Sequence, residues 1–230
     1  MNKTGWIIFS TAVVLLLGGL VTWTRIANPP IDVSGVKNNS VIAASSQNGN
    51  IADRTTGSDA HKLLLIEYGD YQCPSCGTAN PYLETLLKEY GDKFTFVFRN
   101  FPLTTIHPNA RAAAAVAEAA GQQGKFWEMH NKLYDGQNDW SGLNSKQRGE
   151  LFTQYANELS LNLDTFNADI AGKSVTKKIN FDIALGKSVD VSATPTFYLN
   201  GEKLDETTAS GIVQGDLTAI KSKIDELSKK

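Results

Sequence analysis

Apolar positions fall into two regimes along this chain. From Gly5 to Trp23 they are nearly continuous, interrupted only by the hydroxyls of Ser10, Thr11 and Thr22. About 19 residues at ~1.5 Å each make a helix of ~28 Å, close to the hydrocarbon thickness of a bilayer, so the stretch predicts a transmembrane helix. From Ala27 to about Asp59 the apolar residues scatter among Asn, Ser and Gly, with Pro29-Pro30 at the start, which reads as a tether. Beyond it the pattern is that of a folded domain. The run Leu63-Leu64-Leu65-Ile66 predicts a buried strand over Lys62–Tyr68, and helical spacing of Tyr82, Leu83, Leu86 and Leu87 predicts a helix over Pro74–Tyr90 that ends at Gly91 and is kinked by Pro81. Thr95–Phe101 reads as a second strand. Past Pro102 the period turns helical over Asn109–Ala120, Lys125–Tyr134, Ser145–Ser160, Leu163–Ala171 and Val175–Val189, with Asp164 as an N-cap. Strand character returns at Thr196–Leu199, turns at Asn200-Gly201, resumes at Glu202–Leu204, and gives way to an amphipathic helix over Asp216–Leu227. Two halves of one α/β core thus flank a helical insert of about residues 106–189.

Composition and charge narrow the function classes. At 230 residues and 41% hydrophobic content the chain buries a real core, and its 22 basic and 24 acidic side chains are interspersed, leaving a net charge of -2 and no electrostatic footprint for nucleic acid. Trp6 and Trp23 flank the apolar stretch at headgroup level, and Lys3 with the α-amino group opposes Arg25, a bias toward a cytoplasmic N-terminus. A cleaved signal peptide is the competing reading. The apolar stretch is longer than a signal core and Trp23-Thr24-Arg25 offers no small-x-small cleavage site, which favours an uncleaved anchor. The expected organisation is an anchor at residues 1–26, a flexible linker at 27–57 and a single-pass protein whose domain, 58–230, lies outside the cytoplasm, where disulfides persist.

The only two cysteines stand in Cys73-Pro74-Ser75-Cys76, between a strand and a helix. A cysteine at a helix N-terminus faces unpaired backbone N–H groups and the positive end of the helix dipole, which favour the thiolate. The second sulfur, one turn on, is placed to attack a mixed disulfide at the first. A staple over so short a loop adds little stability, so catalysis explains the pair better.

Three segments together resemble the DsbA-like thiol–disulfide oxidoreductases of the thioredoxin superfamily over roughly His61–Lys230: Glu67-Tyr68-Gly69-Asp70-Tyr71-Gln72-Cys73-Pro74-Ser75-Cys76; Phe98-Arg99-Asn100-Phe101-Pro102-Leu103 with His107-Pro108-Asn109-Ala110; and Thr194-Pro195-Thr196-Phe197-Tyr198-Leu199-Asn200-Gly201. The resemblance implies a thioredoxin fold with a helical insertion, Cys73 as nucleophile, Cys76 as resolving thiol, and Pro195 as a cis-proline beside them, with Thr194 offering backbone hydrogen bonds to a substrate strand. Glu67, at the end of a central strand and six residues before Cys73, should lie beneath the dithiol, where burial raises its pKa and suits it to relay the Cys76 proton; a solvated edge carboxylate is the alternative. Tyr71 and Gln72 are candidates for a substrate-contacting rim, with Pro74 and Ser75 between the sulfurs. Ser75 stands where strongly oxidising relatives carry histidine, and Thr194 where they often carry valine, so the direction of exchange stays open.

The expected activity is introduction of disulfides into reduced exported proteins, with no cofactor and with a membrane re-oxidant that the resemblance implies is of DsbB or VKOR type. Reductase or isomerase activity on the same dithiol is the alternative. From other classes, a zinc or copper protein would need more ligands than the cysteines plus His61, His107 and His130, which lack a repeated short spacing, and a non-catalytic peptide-docking chaperone does not call for an intact Cys-Pro-Ser-Cys. His107 is expected to cap or lie at the surface and His130 to pack in a helix. Phe126, Trp127, Tyr134 and Trp140 are read as core of the insert, with a peptide-binding surface as the competing role.

Overall fold

The computed structural model describes residues 3–27, 31–58 and 63–229, and these divide into two compact units, 1–32 and 33–230. Pro29-Pro30, His61 and Lys62 lie outside the described residues. The first unit is helix α1 (Lys3–Ala27), of 25 residues, over the stretch whose apolar run foretold it. Counting only the described residues, no helix is long and apolar enough to cross a membrane; side chains at 4, 8, 21 and 24–27 are outside that count.

The second unit is built on a five-stranded sheet of β1 (Arg54–Gly57), β2 (Leu64–Gly69), β3 (Thr95–Asn100), β4 (Thr196–Leu199) and β5 (Glu202–Lys203). The strand order is β1-β3-β2-β4-β5. Only β2 and β3 run parallel, with Glu67 opposite Phe98 on one side and Phe197 of antiparallel β4 on the other. Both central strands are buried along their whole length, which is why the start of β2 reads as a continuous apolar run rather than an alternating one. The β4–β5 hairpin turns on Asn200 and Gly201, both at positive φ (50° and 88°), the conformation a tight hairpin demands.

Helix α2 (Pro74–Tyr90) joins β2 to β3, starting with Pro74 in its first turn, where the missing N–H is not needed, and running through Pro81 to Gly91. The insert holds α3 (Ala110–Gln122), α4 (Phe126–Asp135), the short α5 (Gln137–Trp140), α6 (Ser145–Glu158), α7 (Leu163–Ile170) and α8 (Lys173–Ser188). Asn162, not Asp164, caps α7: its side chain accepts from Thr165 N, and Asp164 sits in the first turn. After β5 come α9 (Glu206–Gln214), capped by Asp205 and stopped by Gly215 at φ 84°, and α10 (Thr218–Leu227).

The linker expected over 27–57 is corrected from Val33 onward. Asn48, Ile51 and Asp53 are buried, and residues 54–57 pair with β3 as an edge strand. The cause is Arg99 of β3, which donates to Asn38 O and Ser40 O (both 2.8 Å) and to Asp53 Oδ2 (2.8 Å), so the segment satisfies a charge in the sheet. That pair is part of a larger buried set. Lys178 of α8 bonds both Asp53 (3.0 Å) and Asp182 (2.7 Å), Asp182 accepts from Asn100 N, Asn100 Nδ2 donates to Glu118 of α3 (2.8 Å), and Glu118 pairs with Arg54 of β1 (2.9 Å).

Candidate active site

The two sulfurs lie where β2 hands over to α2. Asp70 shapes that handover: its Oδ1 accepts from Gln72 N (2.7 Å), its carbonyl from Cys73 N (3.0 Å), and its Oδ2 from Leu103 N and the His107 ring (both 2.8 Å). One carboxylate therefore fixes the dithiol loop and the 103–107 loop together. From the other side Gln137 of α5 donates to the carbonyls of Tyr71 (2.7 Å) and Cys73 (2.9 Å).

Cys73 is the N-cap residue of α2, in extended conformation, and Cys76 is one turn in. Both are free thiols, Cys73 7% exposed and Cys76 fully buried. Their acidities diverge. A hydrogen bond from Cys76, helped by the Thr194 side chain and by the backbone N–H groups of Cys76 and Ser75 and opposed by burial, brings Cys73 down to about 5. Burial, then its bond to Cys73 and the charge of Glu67, drives Cys76 well above the ordinary thiol range.

The Thr194-Pro195 peptide is cis and brings β4 against the sulfurs: Cys73 Sγ donates to Thr194 O at 3.2 Å. That bond belongs to the thiol form, because a thiolate has no proton to give. The Thr194 hydroxyl is buried with no other partner, so on ionisation it is the group free to turn its proton to the sulfur.

Glu67 sits as expected, buried on central β2, and burial followed by the Cys73 charge raises it to about 8. Its Oε1 has no hydrogen-bond partner. An unbonded buried carboxyl is costly to ionise, and a protonated one is an acid held beside the resolving thiol.

Pro74 and Ser75 are exposed between the sulfurs and Pro195 and Thr194 half-buried beside them, so these four stand with Cys73, Cys76 and Glu67 at one site. Tyr71 and Gln72 do not form the expected rim. Tyr71 is buried under the site, its ring against Phe98 and Tyr134 and its hydroxyl 3.0 Å from His130 Nδ1. Gln72 spends its amide on Ser141 O (2.9 Å) and Asn109 N (2.7 Å). Strand-to-helix geometry turns Tyr71 inward, where an aromatic ring gains more by packing than by exposure. Phe126, Tyr134 and Trp140 are buried core of the insert, as read, and Trp127 is half-buried. His130 packs in α4 and His107 serves the Asp70 cluster. Asp70 and Gln137 went unforeseen; for Asp70 a signal existed, since an Asp two residues before Gln72 is an Asx-turn former. Among the described residues no group of three or more His, Cys, Asp or Glu side chains is placed to hold a metal ion.

A family model described as Thioredoxin matches residues 49–214. The Na(+)/H(+) antiporter NhaA 1 of Salinispora arenicola is 38% identical over 155 residues, which cover 66% of this chain and 22% of that protein, so the chain spans about a fifth of the length of this curated relative. Among solved structures, oxidised BdbD from Bacillus subtilis superposes with a TM-score of 0.64 at 23% identity, covering 83% of this chain and 98% of that one. The thiol-disulfide exchange protein alpha-DsbA2 from Wolbachia pipientis superposes with a TM-score of 0.60 at 20% identity, covering 76% and 87%. These likenesses are of fold: a DsbA-like arrangement of sheet, dithiol helix and helical insert.

Proposed function

The chain belongs to the thioredoxin family, and from that premise we propose that it is a membrane-anchored, extracytoplasmic thiol–disulfide oxidoreductase that introduces disulfides into exported proteins. The observation that carries this reading is the inequality of the two sulfurs, Cys73 at about 5 and Cys76 far above it. In the disulfide form a substrate thiolate attacks Cys73 Sγ, the Cys73–Cys76 bond breaks, and Cys76 leaves with the electron pair and takes a proton, for which Glu67 is the nearby acid. A second substrate thiolate then attacks the substrate sulfur of the mixed disulfide and expels Cys73 as thiolate. Substrate has lost two electrons and the dithiol has gained them. A low-pKa leaving group speeds the second step and stabilises the reduced product by about 1.4 kcal/mol for each unit between its pKa and a higher ambient pH.

Renewed oxidation calls for an electron acceptor, which in this reading is a membrane protein of DsbB or VKOR type. The apolar run from Gly5 to Trp23 and the Lys3-to-Arg25 charge bias in the sequence support an anchor with its N-terminus in the cytoplasm, and retention of the chain in membranes after alkaline carbonate washing tests it. Reductase or isomerase activity runs the same steps from the dithiol form and is the second reading, favoured by Ser75, which stands where strongly oxidising relatives carry histidine.

The deciding experiment is the glutathione redox equilibrium of the Val33–Lys230 unit, read by thiol alkylation. A potential near ~-120 mV supports the oxidase, and one near ~-270 mV makes the protein a reductase. Absence of exchange overturns both and returns metal binding by the cysteines to first place.

A further inference from the structure

The exchange steps give no role to the loop that follows β3. In the sheet β2 lies between β3 and β4, so the sulfur at the end of β2 has the Thr194-Pro195 turn on one side and residues 101–107 on the other. That loop is tied to the dithiol loop at both ends. Leu103 N donates to Asp70 Oδ2 (2.8 Å), and Asn109 N donates to Gln72 Oε1 (2.7 Å). Between these anchors Ile106 N and His107 N both donate to Leu103 O (3.0 and 2.9 Å), which closes a tight turn whose apex, Thr104 to Ile106, is exposed.

Ile106 is 68% exposed, and among the described residues of the 33–230 unit only Val41, at 47%, is another exposed large hydrophobic. One exposed apolar side chain is ordinary on a protein surface. Place distinguishes this one. It rides on a turn with little freedom beside the reactive sulfur, and the segments that meet there are uncharged. Residues 71–77, 101–106 and 191–197 contain no Asp, Glu, Lys or Arg in twenty positions, where the chain's 20% charged content would give about four. Glu67 and Asp70, just before the first of these segments, are buried, and the Asp70 carboxylate is bonded to Leu103 N and the His107 ring. Pro74 and Ala193 add exposed apolar surface next to Cys73 and Thr194. A charged side chain brought against such a surface loses water and gains no counter-charge, whereas an apolar one gains by leaving water.

We propose that Ile106 is a specificity-determining residue, which packs on an apolar side chain next to the reacting cysteine of an unfolded polypeptide and favours such segments over those with charged flanks. The proposal rests on the exchange chemistry assigned to Cys73 and holds for either direction of exchange. Because the turn is fixed before a substrate arrives, the contact forms with little ordering of the protein.

The test is the rate at which three single-cysteine peptides, capped at both ends and flanked on each side of the cysteine by leucine, serine or glutamate, attack the oxidised full chain, read by acid quenching and thiol alkylation. Each rate is divided by the same peptide's rate with hydroxyethyl disulfide, which cancels the effect of the flanks on thiol acidity. The leucine peptide is expected to react about tenfold faster than the serine peptide, the gain from withdrawing ~55 Å² of apolar surface from water, and the glutamate peptide more slowly than both. Ile106→Ser should cut the leucine-to-serine ratio to about threefold or less, Ile106→Leu should keep it, and Val41→Ser should leave it as it is. The Ile106 side chain is exposed, so its replacement leaves the fold intact, which the melting temperature checks. Equal leucine and serine rates in the unmodified chain, a ratio that survives Ile106→Ser, or a ratio lost equally in Val41→Ser overturns the proposal. Exchange with glutathione alongside equal peptide rates overturns this proposal alone, whereas no reaction with glutathione or any peptide overturns the exchange chemistry and this proposal with it.

Discussion

Two buried polar regions of this molecule are built on opposite principles. Around Arg99 and Lys178, three cations (Arg54, Arg99, Lys178) meet three anions (Asp53, Glu118, Asp182), every one of them in an ion pair, and Asn100 Oδ1 is the single atom there without a partner. Around Cys73 and Cys76, Glu67 Oε1, Thr194 Oγ1 and Tyr134 OH are all buried without a partner. The paired region ties four distant segments into one unit: the arm and edge strand over 38–57, β3, α3 and α8. The unpaired region keeps its polar atoms available to whichever protonation or oxidation state the sulfurs take. Satisfied groups stabilise a structure, whereas groups left unsatisfied make a site whose state can change.

Five substitutions break or sharpen this contrast. The largest effect is expected from Cys73→Ala, which removes the attacking and leaving sulfur and should abolish exchange with glutathione while the melting temperature stays close to that of the reduced parent; Cys76→Ala should instead accumulate mixed disulfides that resolve too slowly to escape alkylation. In the paired region, Arg99→Met leaves Asp53 buried without its guanidinium and should cost about 3–5 kcal/mol in urea unfolding, with the exchange rate per folded molecule unchanged.

Glu67→Gln should do the reverse and stabilise. Glu67 has a native pKa raised from 4.5 to about 8, so between those values the unfolded chain releases a proton that the native state keeps, and native stability falls by ~1.4 kcal/mol per pH unit. The gain from Glu67→Gln is therefore near zero below pH 4.5 and greatest above pH 8, which paired unfolding curves at pH 4 and pH 8.5 check, and the variant should also protonate Cys76 more slowly. The smallest effect belongs to Thr194→Val, which deletes the hydroxyl that serves the Cys73 thiolate. Cys73 should titrate at a higher pH, by a unit or less, as followed by thiolate absorbance near 240 nm, an order of magnitude set by the loss of one hydrogen bond among several.

The paired region was nearly invisible in sequence and the unpaired one largely legible, for physical reasons. Cys73, Cys76 and Glu67 come from a strand followed by a Pro-containing helix start, a local pattern that places them without long-range information, and Pro195 was placed beside them by the resemblance to DsbA-like oxidoreductases. Asp53, Arg99, Lys178 and Asp182 gain meaning only when the chain closes on itself, although Arg99 directly after the apolar run Phe96-Val97-Phe98 offered a signal, as a charge on a buried strand that needs a partner. β1 was missed because Arg54-Thr55-Thr56-Gly57 is short and carries no apolar alternation; it is held by pairing with β3 rather than by its own pattern. α9 was missed because Thr207, Thr208, Gly211 and Val213 are weak helix formers, and the Asp205 cap with the Gly215 stop define it instead. Tyr71 was misplaced because sequence adjacency to a reactive cysteine says nothing about which way a side chain points.

The unequal sulfurs also have an electrochemical consequence. Above about pH 5 the reduced pair is one thiolate, at Cys73, and one thiol, at Cys76, so two electrons arrive with a single proton. The midpoint potential of such a couple falls by about 30 mV per pH unit, against about 59 mV for an ordinary dithiol that takes up two protons. The gap between this dithiol and the thiols of an unfolded polypeptide consequently widens by about 30 mV with each unit from pH 5 to the point near 8.5 where those thiols ionise themselves. Acidity would thus weaken the power of this dithiol to oxidise such thiols, and mild alkalinity would strengthen it.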